Sequence, residues 1–138
     1  MKKLFVLFLM GILCSVVNAQ VLRIYAQDGD NYVYLGKFAS PYDSESVFNS
    51  YGKYGNEYNS NSIWNEYGKY GNEYNSVSPW NEYSSKPPVL MDSNNKVVGY
   101  FTVNTSLCAR ELVPMMEYIK KNFKQAAKDP SKVYEKFF

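Results

Sequence analysis

SVFNSYGKYGNEYN at residues 46–59 recurs as SIWNEYGKYGNEYN at 62–75, and it begins a third time as SPWNEYSS at 78–85. The period is 16 residues, and the nonapeptide YGKYGNEYN is identical at 51–59 and 67–75. Aligned positions are Ser46, Ser62 and Ser78, then Val47, Ile63 and Pro79, then Phe48, Trp64 and Trp80. Asn49, Asn65 and Asn81 follow, then Tyr51, Tyr67 and Tyr83. In the third copy serine precedes proline, the pattern of a helix N-cap followed by a first residue whose missing N–H costs nothing. Gly52 and Gly68 stand six residues after the first two serines, where a left-handed C′ glycine would end a short helix. Each copy therefore predicts one or two helical turns capped by Ser46, Ser62 or Ser78 and closed by glycine, followed by a KYGNEYN turn. Tyr51 and Tyr67 are expected to point inward. Phe48, Trp64 and Trp80 are then the candidate ligand contacts, with Ser46, Ser62, Ser78, Gly52 and Gly68 as structural caps and turns.

Residues 42–85 hold 8 Tyr and 8 Asn but no Leu and no Met. Disordered segments are poor in aromatics, so an ordered, coil-rich layer is expected, with rings for packing and asparagines to satisfy backbone groups. Three such units cannot bury an apolar face alone. They must lie on another element.

The flanks supply one. VLRIYA, QDGDN and YVYLGKF read as a β-hairpin over 21–39, and PPVLMD, SNNK and VVGYFTV as a second over 88–103. Both carry an Asp at the turn (Asp28, Asp92) and a Gly-x-Phe in the returning strand (Gly36 to Phe38, Gly99 to Phe101). Glycine inside a strand marks a bulge or a close backbone approach. The two related hairpins are expected to form one antiparallel sheet of about four strands, with Phe38 and Phe101 in comparable core positions. The acidic turn is not a helical calcium loop, because position twelve from Asp28 is Ala39 rather than a closing Glu.

The string N-x-Y-G-x-Y-G-x-x-Y, followed by S-I or S-P with W-N, beside a YLGKF segment, resembles a family of small secreted bacterial proteins carrying the same tyrosine–glycine repeat. The likeness spans about residues 32–103. It implies no activity, ligand or catalytic residue. Where those proteins have serine and proline around the tyrosines, this chain has Asn and Glu.

Beyond the second hairpin, Leu112, Met116, Ile119 and Phe123 form an apolar stripe widened by Met115 and Ala126, the signature of an amphipathic helix from about 112 to 127. Pro114 is compatible only with its first turn. Asp129-Pro130 reads as a stop and restart before SKVYEKFF, so the helical tail covers 111–138. Lysines 120, 124, 128, 132 and 136 recur every four residues, either as a solvated face or as the complement of an acidic partner such as the repeat.

The N-terminal MKKLFVLFLMGILCSVVNAQ has two lysines, an apolar run and small residues at Val17-Asn18-Ala19. It reads as a signal peptide over 1–19, with cleavage before Gln20 and a single mature domain over 20–138. Export to a periplasmic or extracellular location, with no membrane span after cleavage, is the expectation. Losing Lys2 and Lys3 from 15 basic residues against 13 acidic leaves a formally neutral chain, with no overall bias toward nucleic acid. Charge is uneven within it: residues 42–85 carry six acids and two lysines, and 86–138 nine bases and five acids. Cys108 is the cysteine left after cleavage, expected to be a small buried hydrophobe with an intermolecular disulfide as the alternative.

Chemistry is scarce. The chain contains no histidine, which removes the commonest general base and metal ligand, and no cofactor or metal is expected. Two carboxylates suffice for glycoside hydrolysis. However, Glu57 and Glu73 are equivalent repeat positions, as are Glu66 and Glu82, whereas an acid and a base need different environments. The expectation is a non-catalytic α+β protein acting as a structural or protein-interaction module of the cell envelope. A carbohydrate-binding module using the repeat aromatics is the alternative, and a carboxylate-based hydrolase the distant one. The partner stays open between another envelope protein and a polysaccharide. Exposed, coplanar Trp64 and Trp80 would favour sugar binding, and buried rings a scaffold.

Overall fold

The computed structural model describes residues 21–138; the signal peptide expected over 1–19 lies outside them. Strands β1 (Arg23–Asp28), β2 (Asn31–Lys37), β3 (Val89–Met91) and β4 (Val97–Tyr100) form one antiparallel sheet in the order β2-β1-β3-β4. The two hairpins therefore join along their first strands, β1 beside β3. With the three helices that follow, the fold is α+β as expected.

The hairpins are built alike down to their irregularities. Ile24 faces Gly36 and Leu90 faces Gly99, and in each hairpin the register shifts immediately afterwards. Gly36 has φ +109°, and an added Cβ there would come within 2.9 Å of Val47 and 2.8 Å of Tyr54. Here the in-strand glycine serves both a bulge and a close approach. Phe38 then donates its N–H to Leu22 O (2.9 Å) and Phe101 to Pro88 O (2.8 Å), each returning strand closing on the residue before its partner. The two rings meet edge to face at 5.5 Å. Each hairpin continues into a parallel bridge, Lys37 with Ser46 and Tyr100 with Cys108.

Between the hairpins the chain makes no helix among residues 42–85, contrary to the capped turns expected there. It is a ladder of successive tight turns. Starting at Ser46, each closing N–H reaches a carbonyl three residues back (Asn49, Gly52, Asn59, Ser62), apart from one four-residue step from Gly52 to Asn56. Those five steps make the period of 16, and the second copy repeats them from Ser62 to Ser78. Side chains hold every corner except the glycine one at Gly52 and Gly68. Ser46, Ser62 and Ser78 accept at Oγ from the N–H of Phe48, Trp64 and Trp80 at 3.0–3.1 Å. Asn49, Asn65 and Asn81 accept at Oδ1 from Tyr51, Tyr67 and Tyr83, and their Nδ2 groups reach carbonyls six residues back at 3.1–3.2 Å. Serine and asparagine that compete with helix by bonding their own backbone have done so here at four of the five corners in each period, and the helix lost. The serines are caps of turns rather than of helices.

Gly52 and Gly68 do not have the positive φ expected of C′ residues. The glycines under real constraint are Gly55 and Gly71, where an added Cβ would lie 1.9 Å from Asn49 O and 2.1 Å from Asn65 O. Ser62, fully buried, also donates to Tyr54 O. Ser62→Ala is therefore expected to lower unfolding free energy by about 1–2 kcal/mol, since the buried Trp64 N–H loses its acceptor, as read from urea denaturation. A loss below about 0.5 kcal/mol, the range of ordinary surface changes, would contradict the turn-capping role.

The tail folds as a 3-10 turn (Arg110–Leu112) and helices α1 (Val113–Lys121), α2 (Phe123–Lys128) and α3 (Pro130–Phe137). Leu112, Met115, Met116, Ile119 and Ala126 are buried, as their periodicity requires. The expected continuous helix to 127 is broken at Asn122 (φ −128°, ψ 36°), whose Nδ2 bonds Tyr118 O at 2.9 Å. One apolar cluster joins sheet, coil and helices: Ile24, Leu35, Leu90, Val47, Ile63 and Trp64 with Met115, Met116, Ile119 and Val133. Consecutive coil residues divide between the two sides, Val47 against Gly36 of the sheet and Phe48 against Tyr134 and Phe138 of the tail.

Candidate functional site

The aromatic positions exchange roles relative to the sequence reading. Trp64 and Trp80 are only 1 % and 7 % exposed and stack on each other at 5.4 Å. Each indole N–H reaches back one repeat, Trp64 to Val47 O (2.6 Å) and Trp80 to Ile63 O (2.5 Å). Phe48 is buried too, so the three candidate ligand contacts form the core of the coil. Phe48 opens the series and has no earlier repeat behind it to accept an indole N–H, which accounts for phenylalanine in that copy.

The tyrosines go the other way. Tyr42, Tyr51, Tyr58, Tyr67, Tyr74 and Tyr83 are 82–97 % exposed, at alternating spacings of nine and seven residues. The inward placement expected of Tyr51 and Tyr67 is overturned; each of the six follows a corner residue by two positions. Its N–H is fixed to that residue's side-chain oxygen, Ser40 Oγ for Tyr42 and asparagine Oδ1 for the rest. The turn thus anchors the backbone, as it does at the buried Trp64 and Trp80, but here the ring stands in solvent. Consecutive tyrosines wall successive hollows of the surface: 42 with 51, 51 with 58, 58 with 67, and 67 with 74. Four of the six are the tyrosine of an NEY triplet, but the place two beyond a capping residue is shared with the buried Trp64 and Trp80, so the sequence alone does not mark them as outward.

Two of these hollows are near copies of each other. One, of about 350 Å³, is lined by Tyr67, Tyr74, Glu66, Glu73, Trp80 and, from the helices, Lys120, Phe123 and Lys124. Its neighbour, also about 350 Å³, is lined by Tyr58, Tyr67, Glu57, Glu66, Trp64, Phe123, Lys124 and Lys128. Sixteen residues separate Trp64 from Trp80, Tyr58 from Tyr74 and Glu57 from Glu73, so each hollow is one repeat of the coil closed by one turn of the lysine row. The interruption at Asn122 sets Phe123 between them, its ring 6.2 Å from Trp64 and 5.5 Å from Trp80. A wider hollow of about 840 Å³ extends the groove past Tyr51 and Tyr42 along Lys128 and Tyr134. At the opposite end, Lys120 Nζ meets Glu82 Oε2 at 2.5 Å. The hydrogen bond from Lys120 holds the Glu82 carboxyl below its ordinary range, and Glu82 in turn raises Lys120. The complement of the lysine row is therefore the repeat, at least at this contact.

Three tie-downs hold the ladder in place. Tyr34 Oη donates to Glu45 at 2.7 Å, and burial with that carboxylate pushes the Tyr34 phenol well above its usual value. Asp28, at the first hairpin turn, takes Lys69 at 2.6 Å and the Tyr70 hydroxyl at 3.1 Å, and the hydrogen bond from Lys69 holds its carboxyl below the usual range. Val103 donates to Pro79 O at 2.9 Å. Cys108 is half-buried against the core, and burial pushes its thiol upward, away from the reactive thiolate. Among the described residues no cluster of three metal-ligating side chains occurs, and no helix is long and apolar enough to cross a membrane. No family model, curated protein or solved structure matches the chain.

Proposed function

We propose that the protein is an exported, non-catalytic binding module whose contact surface is the tyrosine ladder and the groove it walls. One observation carries this reading: six tyrosines stand almost wholly in solvent on backbone that is fixed at each of them by a side-chain hydrogen bond. Exposed rings add little to folding, since hydrophobic stabilisation scales with the area withdrawn from water. A rigid row of large amphipathic side chains is instead what interfaces are enriched in, and pre-fixed backbone lowers the ordering cost of binding. The tryptophan pair beneath it acts as scaffold. The non-catalytic reading rests on the lack of histidine in the chain and on carboxylates that recur in equivalent hollows. Glu82, held ionised by Lys120, is poised to accept hydrogen bonds rather than to donate a proton.

Co-sedimentation with cell-wall and outer-surface fragments of the producing cell tests the proposal. The native protein is expected to pellet, and a Tyr58→Ser, Tyr67→Ser, Tyr74→Ser variant to bind at least about tenfold more weakly, as loss of interface aromatics implies. Its thermal midpoint should barely change, because exposed substitutions cost within about 0.5 kcal/mol each. Equal pelleting of the folded variant would overturn the reading.

A further inference from the structure

We propose that the groove accommodates a neutral, linear polysaccharide, with its sugar faces on Tyr58, Tyr67 and Tyr74; this deepens the reading of the ladder as the contact surface and rests on it. Charge balance is the first argument. Each of the two hollows sets two glutamates on the coil wall against two lysines on the helix wall, Glu66 and Glu73 against Lys124 and a Lys120 that also pairs with Glu82, then Glu57 and Glu66 against Lys124 and Lys128. An anionic chain lying there meets carboxylates throughout its length, and a cationic chain meets ammonium groups, so both pay like-charge repulsion. A chain of hydroxyl groups, each a donor and an acceptor, uses both walls at once. Its C–H faces are the apolar surface that exposed tyrosine rings can cover, with the partly buried Phe123 giving an apolar floor over the tryptophan scaffold.

Repetition is the second argument. A tryptophan, a tyrosine and a glutamate return together after 16 residues, with Glu66 and Tyr67 shared by the two hollows, which suits an occupant whose own chemistry repeats. A peptide of unique sequence gains nothing from near-equivalent adjoining hollows. The third argument is the backbone. An extended peptide gains affinity by adding its main chain to free N–H and C=O groups, whereas the N–H groups of Tyr58, Tyr67 and Tyr74 are already held by Asn56, Asn65 and Asn72. The wall offers rings and charges in place of an open strand edge.

Affinity gel electrophoresis of the protein tests this, with hydroxyethyl cellulose, laminarin, galactomannan and dextran as neutral probes. Alginate, chitosan and gelatin serve as anionic, cationic and peptide probes. The expected result is retardation by at least one neutral glycan that persists at about 0.5 M NaCl, where exposed charges are screened over a few ångströms, and is weakened about tenfold or more by Tyr67→Ala. No retardation by any neutral glycan overturns the inference. So does binding confined to alginate or chitosan and lost in salt, or binding confined to gelatin. If the neutral glycans fail while envelope co-sedimentation remains tyrosine-dependent, the glycan inference falls and the binding role stands. If the tyrosine variants pellet like the native protein, both fall together.

Discussion

Trp64→Ala should unfold the protein more readily by about 3–5 kcal/mol, the cost of removing a fully enclosed large aromatic side chain. Trp64 is buried between repeats, stacked on Trp80 at 5.4 Å and near Phe123 at 6.2 Å. Its loss leaves a cavity bounded by two backbone-anchored turns that cannot collapse, because each is tied by side-chain bonds at both ends. The variant also strands Val47 O, the acceptor of the Trp64 indole N–H. Trp64→Phe separates the two terms: it keeps a ring and loses the bond, so about 1–2 kcal/mol is expected, and phenylalanine already stands at the equivalent position 48. In the native protein the same burial predicts a blue-shifted tryptophan emission that iodide does not quench. Chemical denaturation of both variants decides the matter. A Trp64→Ala loss under about 1 kcal/mol, or an emission open to iodide, would mean that the coil is not packed through its tryptophans.

Gly71→Ala is expected to cost about 3 kcal/mol, at the upper end of what overpacking costs, while Gly68→Ala costs under about 1 kcal/mol. Neither glycine needs positive φ, so the difference lies in what an added methyl group would meet. At Gly71 it would sit 2.1 Å from Asn65 O and 2.5 Å from Asn65 C, both backbone atoms. Asn65 has no room to give way: its N–H bonds Ser62 O, its C=O accepts from Gly68, and its side chain is held by Tyr67 N and Asn59 O. At Gly68 the nearest atom is Asn65 Nδ2 at 3.1 Å, tight by only a few tenths of an ångström. Gly55 in the preceding copy repeats the situation with Asn49 O at 1.9 Å, so the double change Gly55→Ala, Gly71→Ala should abolish cooperative unfolding of the coil. Equal costs at 68 and 71 in thermal and urea melts would show that the close approach is not what fixes these glycines.

The coil also shows how a segment without leucine or methionine reaches a defined structure. Each repeat offers few apolar side chains, Ile63 and Trp64 in the second copy, and these are divided between the sheet and helix sides. The rest of the specification comes from Asn and Ser used twice, oxygen forward to an N–H and donor backward to a carbonyl. No buried side-chain N or O atom lacks a hydrogen-bond partner among the described residues. Polar satisfaction of this completeness is what makes an irregular backbone affordable in a small domain.

Hairpin pairing, the in-strand glycines, the buried stripe of the tail and the α+β class were legible in the chain, because alternation, turn residues and the helical period are local signals that each element carries whatever it packs on. The repeat was legible as a repeat, and its serines and asparagines as backbone-capping groups, but not as turns rather than helices. Both conformations accept the same side-chain oxygen two residues on, and only the count of three-residue steps over the full period separates them. Which aromatic faces inward was decided by the tertiary structure alone. Trp64 and Tyr67 each follow a capping residue by two positions, so their local sequence contexts are alike. Neighbouring repeats, the sheet and the helices then enclose one position and leave the other in water. The groove belongs to the same class, since its two walls lie some 50 residues apart in the chain, Glu66 to Lys120 and Glu73 to Lys124, and they meet only because the tail folds back across the coil and packs Phe123 beside the tryptophans.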